Sequence, residues 1–388
     1  MKILMYCDNF GGPTTTFIQN DLLELSKIHT VKHLSAQFDP VGKFTYKDAV
    51  AVKFTRNTLS TKLHFILETK GWYLSFSNRA FAKGVNAIID EFQPDIIQCN
   101  FGIEALKLTD NLSSKNRKIP LVINFLGYDA SLHLGRPSYV KKLIQLAKLP
   151  NVYATSNNHF LKKNLETKKI FFRENKVLHS GVRLDFFDRK GIYPKNDAFT
   201  FLQIASFSYR KGQEIAIRAF ARMLEKVQDR SRFKLIFAGG DDDATCVAMR
   251  KLPAELGVAD RIEFRDWLTP AESLSLMLEA DCFVQHSRTI NGQTEGIPTA
   301  LAEAMALEMP VLSTWHAGIP DLVEDELNGY LSAENDVDHL AKRMHDIQSM
   351  GFLKINREKV IKEFNLNERI PMFGRYYDHI LENNKATT

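Results

Sequence analysis

Two carboxylates eight residues apart, Glu295 and Glu303, bracket the start of an otherwise apolar helical stretch, Gly296-Ile297-Pro298-Thr299-Ala300-Leu301-Ala302-Glu303-Ala304-Met305. Pro298 suits the first helical position, where its missing N–H costs nothing, and the free amides behind it form a positive pocket fitted to a phosphate. Glu295 then lies in the loop beside that pocket. Glu303 falls five residues into the helix, about 7.5 Å further along at 1.5 Å per residue, which matches the separation of a sugar from the ribose across a diphosphate. Its neighbours Leu301, Ala302, Ala304, Met305 and Ala306 are apolar, so its carboxylate must find a hydrogen-bonding partner or carry a large desolvation penalty. Ribose hydroxyls would serve. Spacing alone fits equally well an ordinary helix with a surface Glu and a chance acidic residue in the loop.

Arg210-Lys211-Gly212 closes a short loop after an apolar run and opens a helix. Two cations beside a free helix N-terminus suit a diphosphate, although solvated loop charges would look the same. Gly11-Gly12-Pro13 follows the first apolar run; paired glycines let backbone amides approach a ligand closely, and a plain tight turn would also use them. No Gly-x-Gly-x-x-Gly is present, which argues against a dinucleotide dehydrogenase. Asp241-Asp242-Asp243 follows Gly239-Gly240 and reads as a solvated loop and helix N-terminus rather than a metal site. No other His/Cys/Asp/Glu group has metal-ligand spacing, so neither a metal nor a cofactor is expected. His286 and His316 each sit just beyond an expected strand end, and no Ser/His/Asp or Cys/His nucleophile signature stands out.

The elements that must position these residues alternate throughout as short apolar runs and helical periodicity, the pattern of parallel-sheet α/β units. Strands are expected at residues 2–7, 31–34, 95–99, 121–125, 152–155 and 176–179, then at 200–204, 233–238, 261–264, 282–285 and 311–313. Sustained periodicity breaks over 183–196, a charged stretch with Gly191 and Pro194. Two doubly wound domains joined there would place the site outside the carboxyl ends of the strands.

With 388 residues, 44% of them hydrophobic, the chain can bury two ordinary cores. No apolar run approaches the ~20 residues needed to span a bilayer, and Met1-Lys2-Ile3-Leu4 opens into a strand without signal-peptide regions. A cytoplasmic protein is expected, soluble or peripheral on the inner face of the membrane. Cys7, Cys99, Cys246 and Cys282 are scattered and read as reduced, mostly buried thiols. The net charge of +5 conceals an asymmetry: residues 1–195 carry 29 Lys and Arg against 16 Asp and Glu, while the remainder is net acidic. The basic half, with Lys141-Lys142, Lys162-Lys163 and Lys168-Lys169 among Leu143, Ile144, Leu146, Leu161, Phe171 and Phe172, suggests an anionic membrane leaflet or a phosphate-bearing acceptor. Nothing in the pattern asks for a nucleic acid.

The blocks 281–287, 295–306 and 310–321 closely resemble family 4 of the retaining glycosyltransferases, with the exopolysaccharide (colanic-acid-type) branch the nearest match. Further matches lie in register at 16–18, 94–102, 125–129 and 177–187. The resemblance implies a GT-B fold: two doubly wound Rossmann-like domains facing each other across a cleft, at about 1–183 and 197–365, with a helix at about 366–388 packing back on the first. It also implies transfer of a sugar from a UDP- or GDP-sugar to a hydroxyl of a glycan or lipid-linked glycan, without a metal. Lys211 would then hold the diphosphate. The family's second cation, an Arg about five residues earlier, is replaced here by Ser206, for which Arg210 can substitute. Glu295 would face the reacting sugar and Glu303 hold the ribose, while Gly11, Gly12, Gly296, Ile297, Pro298, Thr299 and His316 would line the donor site. Relatives commonly carry His at the position of Leu126, where it contacts the donor sugar. Asp129, three residues on, could supply that polar contact or could simply cap a turn. The other readings are an epimerase or phosphorylase of the same fold, and a catalytically inert nucleotide-sugar-binding partner, the last prompted by Ser206 and Leu126.

Overall fold

The computed structural model describes residues 1–10, 16–38, 46–54, 77–195, 197–240 and 244–385. They divide into two compact units, one formed by Met1–His179 with the chain from Leu366 on, the other by Ser180–Asn365. The chain therefore passes between units at His179, just ahead of the 183–196 stretch.

In the first unit, β1 (Lys2–Phe10), β2 (Thr30–Phe38), β3 (Ala49–Ala51), β4 (Ile96–Asn100), β5 (Leu121–Phe125), β6 (Val152–Ser156) and β7 (Asn175–Val177) form a sheet in the order β3-β2-β1-β4-β5-β6-β7. Every described pairing is parallel. Strand side chains alternate between faces. Leu4 and Tyr6 of β1 accordingly join one core with Phe81, Val85 and Leu108 from two helices, while Ile3, Met5 and Cys7 join another with Ile18 and Leu22. Burial on both faces is why these strands read as continuous apolar runs.

The helix Leu366–Lys385 belongs to this unit. Ile370, Phe373, Tyr377 and Ile380, at helical spacing, enter the core with Ile3 and Met5. Arg369 forms an ion pair with Asp21 at 3.1 Å, both nearly fully buried, and donates to the Leu178 carbonyl at 2.5 Å and to that of His179. A cation taken so far out of water is tolerated because the carboxylate and carbonyls replace its hydration.

The second unit has β8 (Phe199–Ile204), β9 (Phe233–Ala238), β10 (Ile262–Arg265), β11 (Cys282–Val284), β12 (Val311–Thr314) and β13 (Tyr330–Ser332) in the order β10-β9-β8-β11-β12-β13, again all parallel. Each sheet is a doubly wound Rossmann-like array, its order reversing beside β1 or beside β8. Two strands escaped the sequence reading, β3 and β13. Each has only three residues.

The expected interfacial face in the first unit needs correction. Leu143, Leu146, Leu161 and Phe172 are buried in the core, so the exposed basic and apolar neighbours left of that face are Lys168 and Lys169 beside Phe171. No described helix is long and apolar enough to cross a membrane.

Candidate active site

In the second sheet the order reverses between β8 and β11, and the loops leaving their carboxyl ends supply the candidate residues. After β8 the chain turns through Tyr209–Lys211 into the helix Gln213–Leu224. Gly212 makes the turn at φ +68°; a Cβ there would lie 1.9 Å from the His286 carbonyl oxygen, so only glycine fits. The turn is braced by Gln203, which donates to the Lys211 carbonyl at 2.9 Å, and by Gln213, which donates to that of Ser206 at 2.9 Å. Arg288, in the loop after β11, donates to the Tyr209 carbonyl at 2.7 Å and pairs with Glu214.

This framework brings together residues 84 positions apart. Lys211 Nζ lies 2.9 Å from Glu295 Oε2 and Arg210 Nε 2.5 Å from Glu295 Oε1, the latter without hydrogen-bond alignment. Glu295 is 11% exposed. Burial pushes its carboxyl upward, but the Lys211 and Arg210 cations more than offset that and hold it below the usual glutamate range. The arrangement is two cations converging on one carboxylate at a topological switch point. It can exchange part of that pairing for the oxygens of a phosphorylated ligand. Ser206 is half-buried on the same loop.

The helix that Glu303 occupies spans Thr299–Ala306. Pro298 is its N-cap, one position earlier than expected, with φ −62° and ψ 122°. Its ring still organises the entry, and its carbonyl accepts from the amides of Leu301 and Ala302. Gly296 and Ile297 lead into the cap, half-buried, and Thr299 is exposed. Glu303 is half-buried, and among the described residues no hydrogen bond or ion pair engages its carboxylate. Desolvation raises its pKa to about 7, with Arg183 pulling weakly the other way. A carboxyl whose folded pKa lies above its unfolded value favours folding at low pH, and the contribution fades as pH rises through about 7. Glu303→Gln should therefore melt higher than the parent above pH 7, with the gap closing towards pH 5. An unchanged difference across that range would show that Glu303 is not desolvated.

Two of the expected site residues are buried. His316 is 1% exposed. Its Nε2 accepts from the Glu295 amide at 2.9 Å, and its Nδ1 lies 2.6 Å from Glu334 Oε1. Asp129, in the short turn Tyr128–Ala130 after β5, is 0% exposed. Its Oδ2 accepts from the Gly102 amide at 2.9 Å, and Oδ1 from those of Gly127 at 2.9 Å and Leu126 at 3.2 Å. Burial raises its pKa and the three amides lower it in part. It clamps the β5 loop to the helix Gly102–Asn111, as a turn cap does. Leu126 is buried as well. Gly11, Gly12 and Asp241–Asp243 lie outside the described residues.

The sequence reading missed Arg288, Glu334 and the loop contact of His286. His286 is fully buried, and its Nε2 accepts from the Asn335 amide at 3.0 Å. Burial drops its pKa to about 4, against weaker opposing pulls from Glu334 and Asp336, so the imidazole remains neutral at physiological pH. Glu334 follows β13, and without that strand nothing in the sequence marks it.

Known proteins agree with this architecture. The family described as Glycosyl transferases group 1 matches residues 185–365. The chain is 31% identical over 196 residues to WcaL of Escherichia coli K12, named for colanic acid biosynthesis as a glycosyltransferase; the match covers 49% of this chain and 47% of that one. It is 31% identical over 173 residues to the amylovoran biosynthesis glycosyltransferase AmsK of Erwinia amylovora, covering 42% and 40%. The chain thus spans about half the length of the curated relatives it matches. In fold it is similar to HepE of Anabaena, solved in complex with UDP, with a TM-score of 0.77 over 98% of this chain and 100% of that one at 16% identity. Residues 185–365 thus form a domain of the glycosyl transferases group 1, and the two Rossmann-like sheets have the GT-B fold.

Proposed function

We propose that the protein transfers a sugar, with retention of configuration, from a nucleoside-diphosphate sugar to a hydroxyl of a glycan or lipid-linked glycan in cell-surface polysaccharide synthesis. The observation that carries this reading is the convergence of Lys211 and Arg210 on Glu295 at the switch point of the second sheet, with Glu303, whose carboxylate has no partner among the described residues, on the helix that follows. Support for the donor class comes from HepE, which was solved with UDP and with UDP-glucose.

Lys211 and Arg210 stabilise the charge that builds on the departing diphosphate, an electrostatic role whose loss typically costs about 2.7–4 kcal/mol of barrier per donor. Glu295 faces the electron-poor sugar carbon, and Glu303 accepts from the ribose hydroxyls. The acceptor's proton passes to the leaving phosphate, so no separate base is needed. Because two cations and helix amides meet the leaving-group charge, the reaction proceeds without a metal.

The test is transfer by the purified protein, in EDTA, from donors that a melting screen selects among UDP, GDP and their sugars. A ligand at 100 times its dissociation constant adds about 2.7 kcal/mol of stability. Failure of every nucleotide to raise the melting temperature sinks the reading, and dependence on added Mg²⁺ or Mn²⁺ sinks its metal-free form.

We further propose a peripheral, cytoplasmic-face location, with Lys168, Lys169 and the 64%-exposed Phe171 meeting anionic lipid. Sedimentation with anionic vesicles should exceed that with neutral ones and weaken with salt. Equal sedimentation would count against it.

A further inference from the structure

The loops leaving the adjacent strands β11, β12 and β13 are stitched together by two imidazoles whose proton positions the geometry fixes. His286 Nε2 accepts from the Asn335 amide, and His316 Nε2 accepts from the Glu295 amide. An N–H pointing at Nε2 means that this nitrogen carries a lone pair, so the proton of His316 resides on Nδ1. There it donates to Glu334 Oε1 at 2.6 Å. Glu334 is itself held: Oε2 accepts from the Thr289 amide at 2.8 Å and Oε1 from the Thr289 hydroxyl at 3.2 Å. Those contacts, with His316, outweigh burial and keep the Glu334 carboxyl below its usual range. Its side chain is 29% exposed, whereas His316 is almost wholly covered. The chain of contacts therefore runs from a partly solvated carboxylate, through one buried ring, to the backbone of the residue on which Lys211 and Arg210 converge.

We propose that Glu334 is a positioning residue for Glu295, acting by selecting the Nδ1–H tautomer of His316. This rests on the glycosyltransferase reading only for its kinetic consequence. Without Glu334 the ring is free to carry its proton on Nε2, where it would oppose the Glu295 N–H and release the loop. Outer partners of this kind orient the groups that touch a ligand, and a misplacement of about 1 Å can cost on the order of 100-fold in rate.

The experiment uses the full chain and three variants, Glu334→Ala, Glu334→Gln and Thr289→Ala. Gln keeps an oxygen for the His316 Nδ1–H but opposes an N–H to the Thr289 amide, so it separates control of the ring from stapling of the loop. Nitrogen-15 spectra of labelled histidine at pH 8 read the tautomer without any need for activity. The parent and Glu334→Gln should show a protonated Nδ1 on His316, and Glu334→Ala a shift towards Nε2–H. Kinetically, Glu334→Ala should lose roughly 10–100-fold in kcat with donor KM within a few-fold. Glu334→Gln should stay within a few-fold of the parent even though its melting temperature falls, and Thr289→Ala should affect melting alone. An unchanged His316 tautomer in Glu334→Ala overturns the proposal, as does equal loss of turnover in the Gln and Ala variants. If the parent itself transfers no sugar, the function fails, while the tautomer spectra still decide the role of Glu334.

Discussion

Glu295→Gln should leave a folded protein that has lost roughly 100–1000-fold in turnover, the range found when a single electrostatic contact to a transition state is removed. The substitution keeps the shape of the side chain and its main-chain bond to His316, and deletes one charge. That charge is the counter-ion of both Lys211 and Arg210, which gives the prediction a second, opposite arm. Freed from the carboxylate, the two cations become more available to phosphate oxygens, so UDP or GDP affinity measured by calorimetry should hold or rise while transfer collapses. Near-normal turnover would refute the assignment of Glu295. A parallel fall in nucleotide affinity and turnover would instead mean that Glu295 only holds the two cations in place.

Asp129→Ala should be the most destabilising of the variants considered, by about 3–5 kcal/mol. Three backbone N–H groups, of Gly102, Leu126 and Gly127, would lose their acceptor inside the first unit, and each buried orphan costs about 1–3 kcal/mol. Asp129→Asn should cost less, because one carboxamide oxygen still accepts while its NH₂ opposes an amide. Neither change should alter nucleotide affinity or turnover of the protein that remains folded at low temperature. Melting curves, calorimetry and initial rates on both variants separate the possibilities. A loss of turnover at unchanged melting temperature would return Asp129 to a catalytic role.

The fold was legible wherever burial on both faces wrote a run of apolar residues, as in Leu121–Phe125 and Phe233–Ala238, both bounded correctly. Strands β1 and β2 run on to Phe10 and Phe38 because their parallel pairing continues past the apolar stretch, a tertiary effect that a local window does not contain. In the site, residue types were legible but partners were not. That Lys211 meets Glu295 depends on β8 and β11 being neighbours, which the order of strands in sequence does not state. Placing Pro298 at the first helical position rather than at the cap was an error of one residue, within the usual uncertainty of helix ends. The bracing contacts of His316 were not legible, because a histidine after a strand looks the same whether it points at a ligand or braces the loop. Asp129 offered two readings in sequence, and the three amides around its carboxylate favour the cap.

The ends of the second unit are tied together. The Val182 amide donates to the Phe364 carbonyl at 2.7 Å, and Val182 bridges Asn365 in parallel. Ser180–Asn365 is thus an insertion that leaves its host almost where it entered. For the host, closing a loop through this folded insertion is like closing one of a few residues. Closing it through the same length of unfolded chain costs on the order of 3 kcal/mol more, since closure entropy grows as the logarithm of length. The grip of Phe373, Tyr377 and Arg369 on the rest of the first unit is therefore subsidised by the integrity of a domain whose core contains none of them, and damage confined to the core of the second unit should loosen the last helix of the first.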